Sequence, residues 1–262
     1  MQYSKRSWRE LWAGIFSFDI WFKLSVIDIV SRYRRTLLGP AWHVLAHSAT
    51  IIGITLLYSR ILHQDWQTFV LYVSAGLTIW SLLVLPFTDA PLMLTRYKTL
   101  ITAYDTPISL HIMRAVSGYF LTFLHNMVVF VAVIAFVKMP LNGYSLYFIP
   151  ALVVIMIAVT GLTMILSVFG ARFRDLGPAA TVVTSILFLL TPVFWNRSQT
   201  LGVEWITDIN PFYHFIEIAR APMLGHAPNP ENWAVATTLA VLLFLAGIFT
   251  VTSNRSNIAY WV

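Results

Sequence analysis

The chain has 262 residues, of which 58% are apolar and only 11% are charged. Soluble domains contain about 45–50% apolar and about 25% charged residues, so this composition excludes an ordinary water-soluble protein. The formal net charge is +6, and the absence of cysteine excludes disulfides, thiolate metal sites and cysteine nucleophiles. Long apolar blocks indicate an integral membrane protein, because a spanning helix needs roughly 20 mostly apolar residues.

The residue pattern of the N-terminal region, residues 1–39, predicts a helix that lies in the membrane interface. Its apolar side chains recur at the helical period and polar side chains occupy the other face, which is typical of an interfacial amphipathic helix. We expect no signal peptide, because no clean apolar run with a small-residue cleavage site follows the basic residues. The apolar stripe consists of Trp8, Leu11, Trp12 and Ile15.

Six apolar segments follow, and they predict an all-α membrane protein with six spanning helices, each satisfying its own backbone hydrogen bonds. None shows the alternating polarity over about 10 residues that a barrel strand requires. Two begin at proline, which suits the first turn of a helix. The predicted spans are Pro40–Leu62, Phe69–Phe87, Ile112–Val137, Tyr147–Gly170, Pro178–Trp195 and Trp233–Thr252.

The distribution of lysine and arginine orients these spans. Most of them lie in the N-terminal region, after span two, after span four and in the tail at residues 253–262. Because basic residues favour the cytoplasmic side, both termini are predicted to be cytoplasmic. The even number of predicted spans agrees with this orientation.

The external stretch at residues 196–232 is too long for a simple connection. Within it, Asn210 can cap a helix, Pro211 occupies the first helical position and Gly225 can close the helix. We expect this short helix to dip into the outer leaflet as a re-entrant element or to pack on the spans. Glu217 and Arg220 are three residues apart on it, and we expect them to form an exposed pair whose role is positioning.

The chain lacks the common nucleotide-binding and catalytic motifs. It contains no G-x-x-x-x-G-K-[ST] and no G-x-G-x-x-G, so any ATP that drives it must bind a separate subunit. It also lacks a G-x-S-x-G elbow, and nothing in the sequence indicates an enzyme. The spans as drawn contain no Asp or Glu, and Arg60 and Arg114 lie in terminal turns where they can snorkel, which disfavours an ion-coupled transporter.

His43 and His47 lie one helical turn apart at the start of span one, a spacing that can hold a metal ion. No carboxylate or third histidine lies near them in sequence, so a polar lining or a packed, hydrogen-bonded role is favoured over a metal site. We therefore predict no metal and no cofactor in this chain.

Two polar and aromatic stripes are candidates for a substrate path. Alternating hydroxyls and aromatic rings suit a sugar, although Thr and Ser also allow helices to pack closely. Trp80, near the middle of span two, either joins this lining or packs between helices. A wide path would require a dimer. The stripe on span one comprises His43, His47, Thr50 and Tyr58, and that on span five comprises Thr181, Thr184, Ser185, Phe188, Thr191, Pro192 and Trp195.

Four segments in chain order carry a further pattern: Arg32–Trp42, Ala171–Gly177, Thr191–Val193 and Asn210–Glu217. Together they resemble the permease subunits of bacterial polysaccharide ABC exporters, the type-2 export family. The resemblance implies a homodimer with two cytoplasmic ATPase subunits that bind ATP and Mg. It also implies export of a lipid-linked polysaccharide, such as O-antigen in lipopolysaccharide biosynthesis or capsule, across the bacterial inner (plasma) membrane.

The resemblance also assigns regions and residue roles within a single permease domain, residues 1–262. Spans one to five occupy 40–195, an external gate segment 196–232 and span six 233–252. The stretch after span two departs from the family, because relatives often carry a basic pair and an aromatic residue before the proline, whereas Thr102-Ala103 and Thr106-Pro107 stand here. The implied external gate comprises Phe212, Tyr213, Phe215, Glu217 and Arg220. The implied ATPase-coupling residues, with the stretch 92–105, are Arg32, Arg34, Arg35, Arg96, Lys98, Tyr104, Arg172, Arg174 and Asp175.

Two alternatives stay open. The first is an ABC permease for another cargo, such as a teichoic acid, a lipid or a drug. The second is a membrane-embedded glycosyl or acyl transferase, which would need acidic or metal-binding residues near the interface, and these are scarce.

Overall fold

The computed structural model describes residues 2–104, 106–197, 202 and 204–262, and of residues 2–7 and 259 it describes the backbone alone. All regular secondary structure in this part of the chain is helical, which confirms the predicted all-α class. The helices are α1 Gln2–Phe16, α2 Phe18–Arg32, α3 Ala41–Ile61, α4 Trp66–Arg96, α5 Lys98–Ala103, α6 Ile108–Val137, α7 Phe148–Arg172 after a 3₁₀ turn at Gly143–Tyr147, α8 Leu176–Leu190, α9 Trp205–Ile209, α10 Pro211–Met223 and α11 Pro230–Trp261.

Five helices in the described residues are long and apolar enough to cross a membrane. They are α3, α4, α6, α7 with its preceding turn, and α11 through Ile258. The fifth predicted span corresponds to α8, which has 15 residues and is therefore about 22 Å long. A hydrocarbon core is about 30 Å thick, so α8 alone is too short. A count of six spans requires the residues that follow α8 to be included.

The early end of α8 follows from Pro192. Proline disfavours the helical conformation in the residue before it, and Thr191 is accordingly extended, with φ −100° and ψ 132°. The prediction that one helical stripe continues to Trp195 was therefore wrong: Thr191, Pro192 and Trp195 lie beyond the helix.

Helix α4 lies at the centre of the bundle and contacts α3, α6, α7, α8 and α10. Asp65 caps its start by accepting a hydrogen bond from the backbone N–H of Thr68 (3.0 Å), and this bond holds the pKa of the Asp65 carboxyl below its usual value. The helix contains Pro86 and Pro91 and continues past the predicted end at Phe87 to Arg96. Asp89 consequently lies inside a membrane-length helix, which corrects the expectation that the spans lack acidic residues.

Glycines allow α7 to approach its neighbours closely. A Cβ atom at Gly170 would lie 2.2 Å from the carbonyl oxygen of Pro91 on α4. A Cβ atom at Gly161 would lie 2.5 Å from the backbone of Leu243 on α11. These backbone contacts account for the tight α4–α7 and α7–α11 packing, as is common between helices in membranes.

Helices α1 and α2 pack against α6, and Ser17 separates them. Leu11 of the predicted apolar stripe is buried and Ile15 is partly buried, while Trp8 and Trp12 remain exposed. The backbone of α1 approaches Ser109, because a Cβ atom at Gly14 would lie 2.1 Å from its hydroxyl. The predicted N-terminal helix is present, and its location in the membrane interface stays a prediction.

The two ends of the bundle carry different connections. Glu10 of α1 pairs with Arg255 near the end of α11, with 2.5 Å between carboxylate and guanidinium, so these helices meet at one end. Because the long helices alternate in direction, the α4–α6 and α7–α8 connections lie at this end as well. We call it the N-terminal end, and the end with the α3–α4, α6–α7 and α10–α11 connections the opposite end.

Candidate functional site

A continuous chain of aromatic rings crosses the interior between α3, α4, α8 and α10. It brings four of the predicted lining and gate residues together, and it adds Phe87 and Phe194, which the sequence patterns did not single out. Trp80 is buried at its centre, so the structure supports the packing role rather than an open lining for this residue. The centroid distances are Tyr58–Phe194 4.9 Å, Phe194–Phe188 5.7 Å, Phe188–Trp80 5.5 Å, Trp80–Phe212 5.5 Å and Phe212–Phe87 5.7 Å.

Arg220 on α10 holds the segment that follows α8. Its Nη1 donates to the carbonyl oxygen of Pro192 (2.7 Å), and its guanidinium lies over the ring of Tyr72, 3.9 Å from the centroid. Its Nη2 pairs with Glu217, and the Tyr72 hydroxyl donates to the carbonyl oxygen of Trp195 (3.1 Å). Arg220 is only 1% exposed. The predicted pair with Glu217 is confirmed, and the prediction that it is exposed was wrong, because α10 packs inside the bundle.

Asn210 joins the start of α10 to the end of α8. Its side-chain oxygen accepts from the backbone N–H of Phe212 (2.9 Å), which confirms the predicted cap. Its amide nitrogen donates to the hydroxyl of Thr191 (2.9 Å) and to the carbonyl oxygen of Leu190 (3.3 Å). Free carbonyls at a helix end need such partners. Thr191 is fully buried in this junction and faces no open path.

The other predicted lining residues on α8 satisfy their hydroxyls within the helix. Thr184 and Ser185 both donate to the carbonyl oxygen of Thr181, at 2.9 Å and 3.0 Å. Thr181 donates in turn to Gly177 (3.2 Å). Thr181 and Ser185 are exposed, so this face of α8 is free in the single chain.

The predicted residues on α3 divide into two groups. Thr50 is exposed and donates to its own helix, whereas His47 bonds Thr78 of α4 through Nε2 (3.1 Å). His43 packs edge-on against Tyr33. Among the described residues, no group of three or more His, Cys, Asp or Glu is placed to hold a metal ion.

At the N-terminal end, a polar cavity of about 200 Å³ lies between α2, α3, α4 and α6. Asp28 on one wall accepts hydrogen bonds from Arg114 Nε (2.6 Å) and Nη2, and from the Tyr97 hydroxyl (3.0 Å). Burial raises the pKa of Tyr97 to about 12, so the hydroxyl keeps its proton and donates. Arg114 is 8% exposed and lies over the Tyr97 ring, which corrects the expectation that it snorkels.

A second ion pair lines the same cavity. Asp89 accepts from Arg96 Nη2 (2.7 Å) and from the Tyr119 hydroxyl (2.9 Å). Of these residues only Arg96 was predicted to have a role. The signal for the rest was Arg114, because an arginine in a long apolar segment needs an acidic partner, and Asp28 was available on the preceding helix.

Comparison with protein families decides the class of the chain. Residues 21–224, well over half of the sequence, match the family described as ABC-2 type transporter. The chain belongs to this family. It is thus a multi-pass permease, the membrane component of an ABC transporter, and family membership implies association with ATPase subunits. A comparison with curated proteins gives no match.

Most residues expected to couple this ABC-2 permease to an ATPase lie exposed at the N-terminal end. Arg172 also stacks over the rings of Phe173 (5.1 Å) and Trp261 (5.4 Å). Arg96 is exposed as well, but it is tied to Asp89. Residue 105, the last of the expected stretch 92–105, lies outside the described residues. The other exposed residues of this set are Arg32, Arg34, Arg35, Lys98, Tyr104, Arg172, Arg174 and Asp175.

Proposed function

We propose that the chain is the channel-forming subunit of an ATP-driven exporter of lipid-linked polysaccharide, such as O-antigen or capsule. Two copies enclose the path, and two ATPase subunits, which bind ATP and Mg, act from the cytoplasm. The positive-inside bias supports a cytoplasmic N-terminal end in the bacterial inner membrane.

The observation that carries the proposal is the broken helix after α8. A Cβ atom at Gly76 would lie 2.4 Å from the carbonyl oxygen of Val193. The non-helical segment therefore lies against α4 at a point ten residues after the helix begins at Trp66. That position is about 15 Å along the helix. Irregular backbone at membrane depth is tolerated only where protein buries it or where it lines a cavity. Such a break supports a sixth, interrupted span and a re-entrant α9–α10 unit that acts as an external gate.

The exposed faces of α3 and α8 support the homodimer. Both helices leave large aliphatic side chains uncovered, among them Leu56 on α3 and Ile186 on α8. The same helices carry the exposed hydroxyls of Thr50, Thr181 and Ser185. Two copies that face each other would place these aliphatic and hydroxyl-bearing surfaces around a shared path. A glycan suits such a path, because it offers both hydroxyl groups and apolar C–H faces for contact.

Deleting the gene and restoring it in trans tests the cargo. We expect the deletion to abolish surface polysaccharide while leaving drug sensitivity normal, and the wild-type chain to restore it. Intact polysaccharide with loss of teichoic acid, a lipid or drug efflux would assign another cargo. Turnover by the purified chain without any ATPase would instead support a transferase.

The docking role of the N-terminal end predicts the behaviour of Arg34→Glu. This substitution reverses an exposed charge in the Arg32–Arg35 segment, and we expect it to reduce co-purification of the ATPase. Arg60→Glu is the matched control, because Arg60 is an exposed arginine near the opposite end of α3. Equal ATPase recovery with both variants would contradict docking through this segment.

A further inference from the structure

The polar cavity at the N-terminal end has more hydrogen-bond donors than acceptors. Its two carboxylates are already occupied: Asp28 accepts from Arg114 and Tyr97, and Asp89 accepts from Arg96 and Tyr119. The cavity therefore offers few free acceptor positions on its acidic side chains.

The hydroxyls on the cavity wall are also bonded within their own helices. Thr88 donates to Leu85 (3.3 Å), and Thr122 donates to Gly118 (2.9 Å). Ser25 donates to the carbonyl oxygen of Phe22 (2.7 Å). None of these three needs a ligand to complete its bonding.

The donors that remain are guanidinium groups and the imidazole of His43, which also lines the cavity. Arg32 lines the cavity from α2, and among the described residues it makes no hydrogen bond or ion pair. Arg96 uses one nitrogen for Asp89 and is partly exposed, so it keeps free N–H groups. With Arg114, three arginines face two aspartates, which leaves one net positive charge on the wall. A ligand that completes this site must be an acceptor and an anion.

From this excess of hydrogen-bond donors and positive charge we propose that the cavity binds a phosphate group, held chiefly by Arg32 and Arg96. A planar guanidinium matches two phosphate oxygens with parallel N–H donors, which favours phosphate over a spherical anion such as chloride. The cavity volume of about 200 Å³ admits a phosphate headgroup. The phosphate is free or is carried by a membrane lipid, and this assignment does not depend on the cargo.

Thermal unfolding of the full-length chain in detergent, followed by the fluorescence of its ten tryptophans, tests the proposal. A ligand that binds the folded state alone raises stability as the logarithm of its concentration. We expect inorganic phosphate to raise the unfolding temperature above that in chloride at equal ionic strength. A short-chain phosphatidate in the same assay separates the sources: protection at tenfold lower concentration than free phosphate assigns a lipid, and equal potency assigns a free anion. No protection by either probe overturns the proposal.

Variants locate the effect in the cavity. Arg32→Gln should abolish the phosphate-dependent shift, and Arg32→Lys should retain part of it, because lysine keeps the charge and loses the planar fork. Arg35→Gln is the matched control, an exposed arginine three residues further on that does not line the cavity. Equal shifts in Arg32→Gln and Arg35→Gln would place any bound phosphate elsewhere and contradict the assignment.

Discussion

Arg220 is a fully buried cation whose partners come from three different parts of the chain. Glu217 neutralises it from one turn away, Tyr72 supplies its ring from α4, and Pro192 supplies a carbonyl oxygen from the break after α8. Removing one member of a buried pair leaves an uncompensated group, which typically costs about 3–5 kcal/mol. A charge-free isostere at this position therefore tests whether the break is held by Arg220.

We expect Arg220→Met to lower the free energy of unfolding by about 3–5 kcal/mol, because Glu217 and the Pro192 carbonyl lose their donor. Thermal unfolding in detergent measures the change. Arg60→Met, at an exposed position, is the control and should stay within about 0.5 kcal/mol of wild type. If both variants unfolded at the same temperature, Arg220 would not brace this segment.

Individual side-chain contacts could be predicted from the sequence only where the two residues are close together in the chain. The Glu217–Arg220 pair and the Asn210 cap depend on helical spacing, so the sequence was sufficient for both. Asp28 and Arg114 are 86 residues apart, and their pairing depends on how α2 crosses α6. The burial of Arg220 likewise depends on where α10 packs, which its own sequence does not specify.

Among the elements, α7 shows how glycine spacing sets the distance between helices. The Cβ of an alanine at position 170 would meet backbone atoms of Pro91, and a backbone cannot move aside as a flexible side chain can. We expect Gly170→Ala to destabilise the protein by about 1–3 kcal/mol, the usual cost of overpacking. Gly118→Ala on α6 is the control, since nothing lies within 4 Å of the added atom, and it should be neutral or stabilising by up to about 1 kcal/mol.

The long helices were predictable because a membrane imposes a minimum apolar length, and their ends were less so. Helix α4 contains two prolines and still continues nine residues past Phe87, and membrane helices in general tolerate proline in their interior. Helix α8 ends early because Pro192 follows it, and the carbonyl oxygen of its last residue, Leu190, accepts a hydrogen bond from Asn210. Hydropathy is averaged over many residues, so it locates the apolar segments and does not show where α4 ends or where α8 is interrupted.

For the whole molecule, the two ends have different chemistry that fits a transporter driven from one side. The N-terminal end carries exposed basic residues and one polar cavity. Around this cavity, the Asp28–Arg114 pair ties α2 to α6, the Tyr97 hydroxyl ties the end of α4 to Asp28, and the Tyr119 hydroxyl ties α6 to Asp89 of α4. The opposite half carries the aromatic chain and the junction at Arg220. Helix α4 contacts both groups, so a displacement at its Arg96 end has a direct structural route to the break beside Gly76.

The proposed dimer places α3 and α8 near the symmetry axis, and the absence of native cysteine makes this placement directly testable. Single cysteines at Leu56 and Ile186, both exposed, should give cross-linked dimers with a flexible bis-maleimide in membranes. Leu245→Cys is the control, because Leu245 is similarly exposed on α11, on the far side of the α7 packing, and should stay largely monomeric. A flexible reagent is needed because a direct disulfide requires Cα atoms within about 7 Å. Cross-linking from Leu245 and not from α3 or α8 would move the interface to α11, and the exposed hydroxyls of α3 and α8 would then face lipid rather than a shared path.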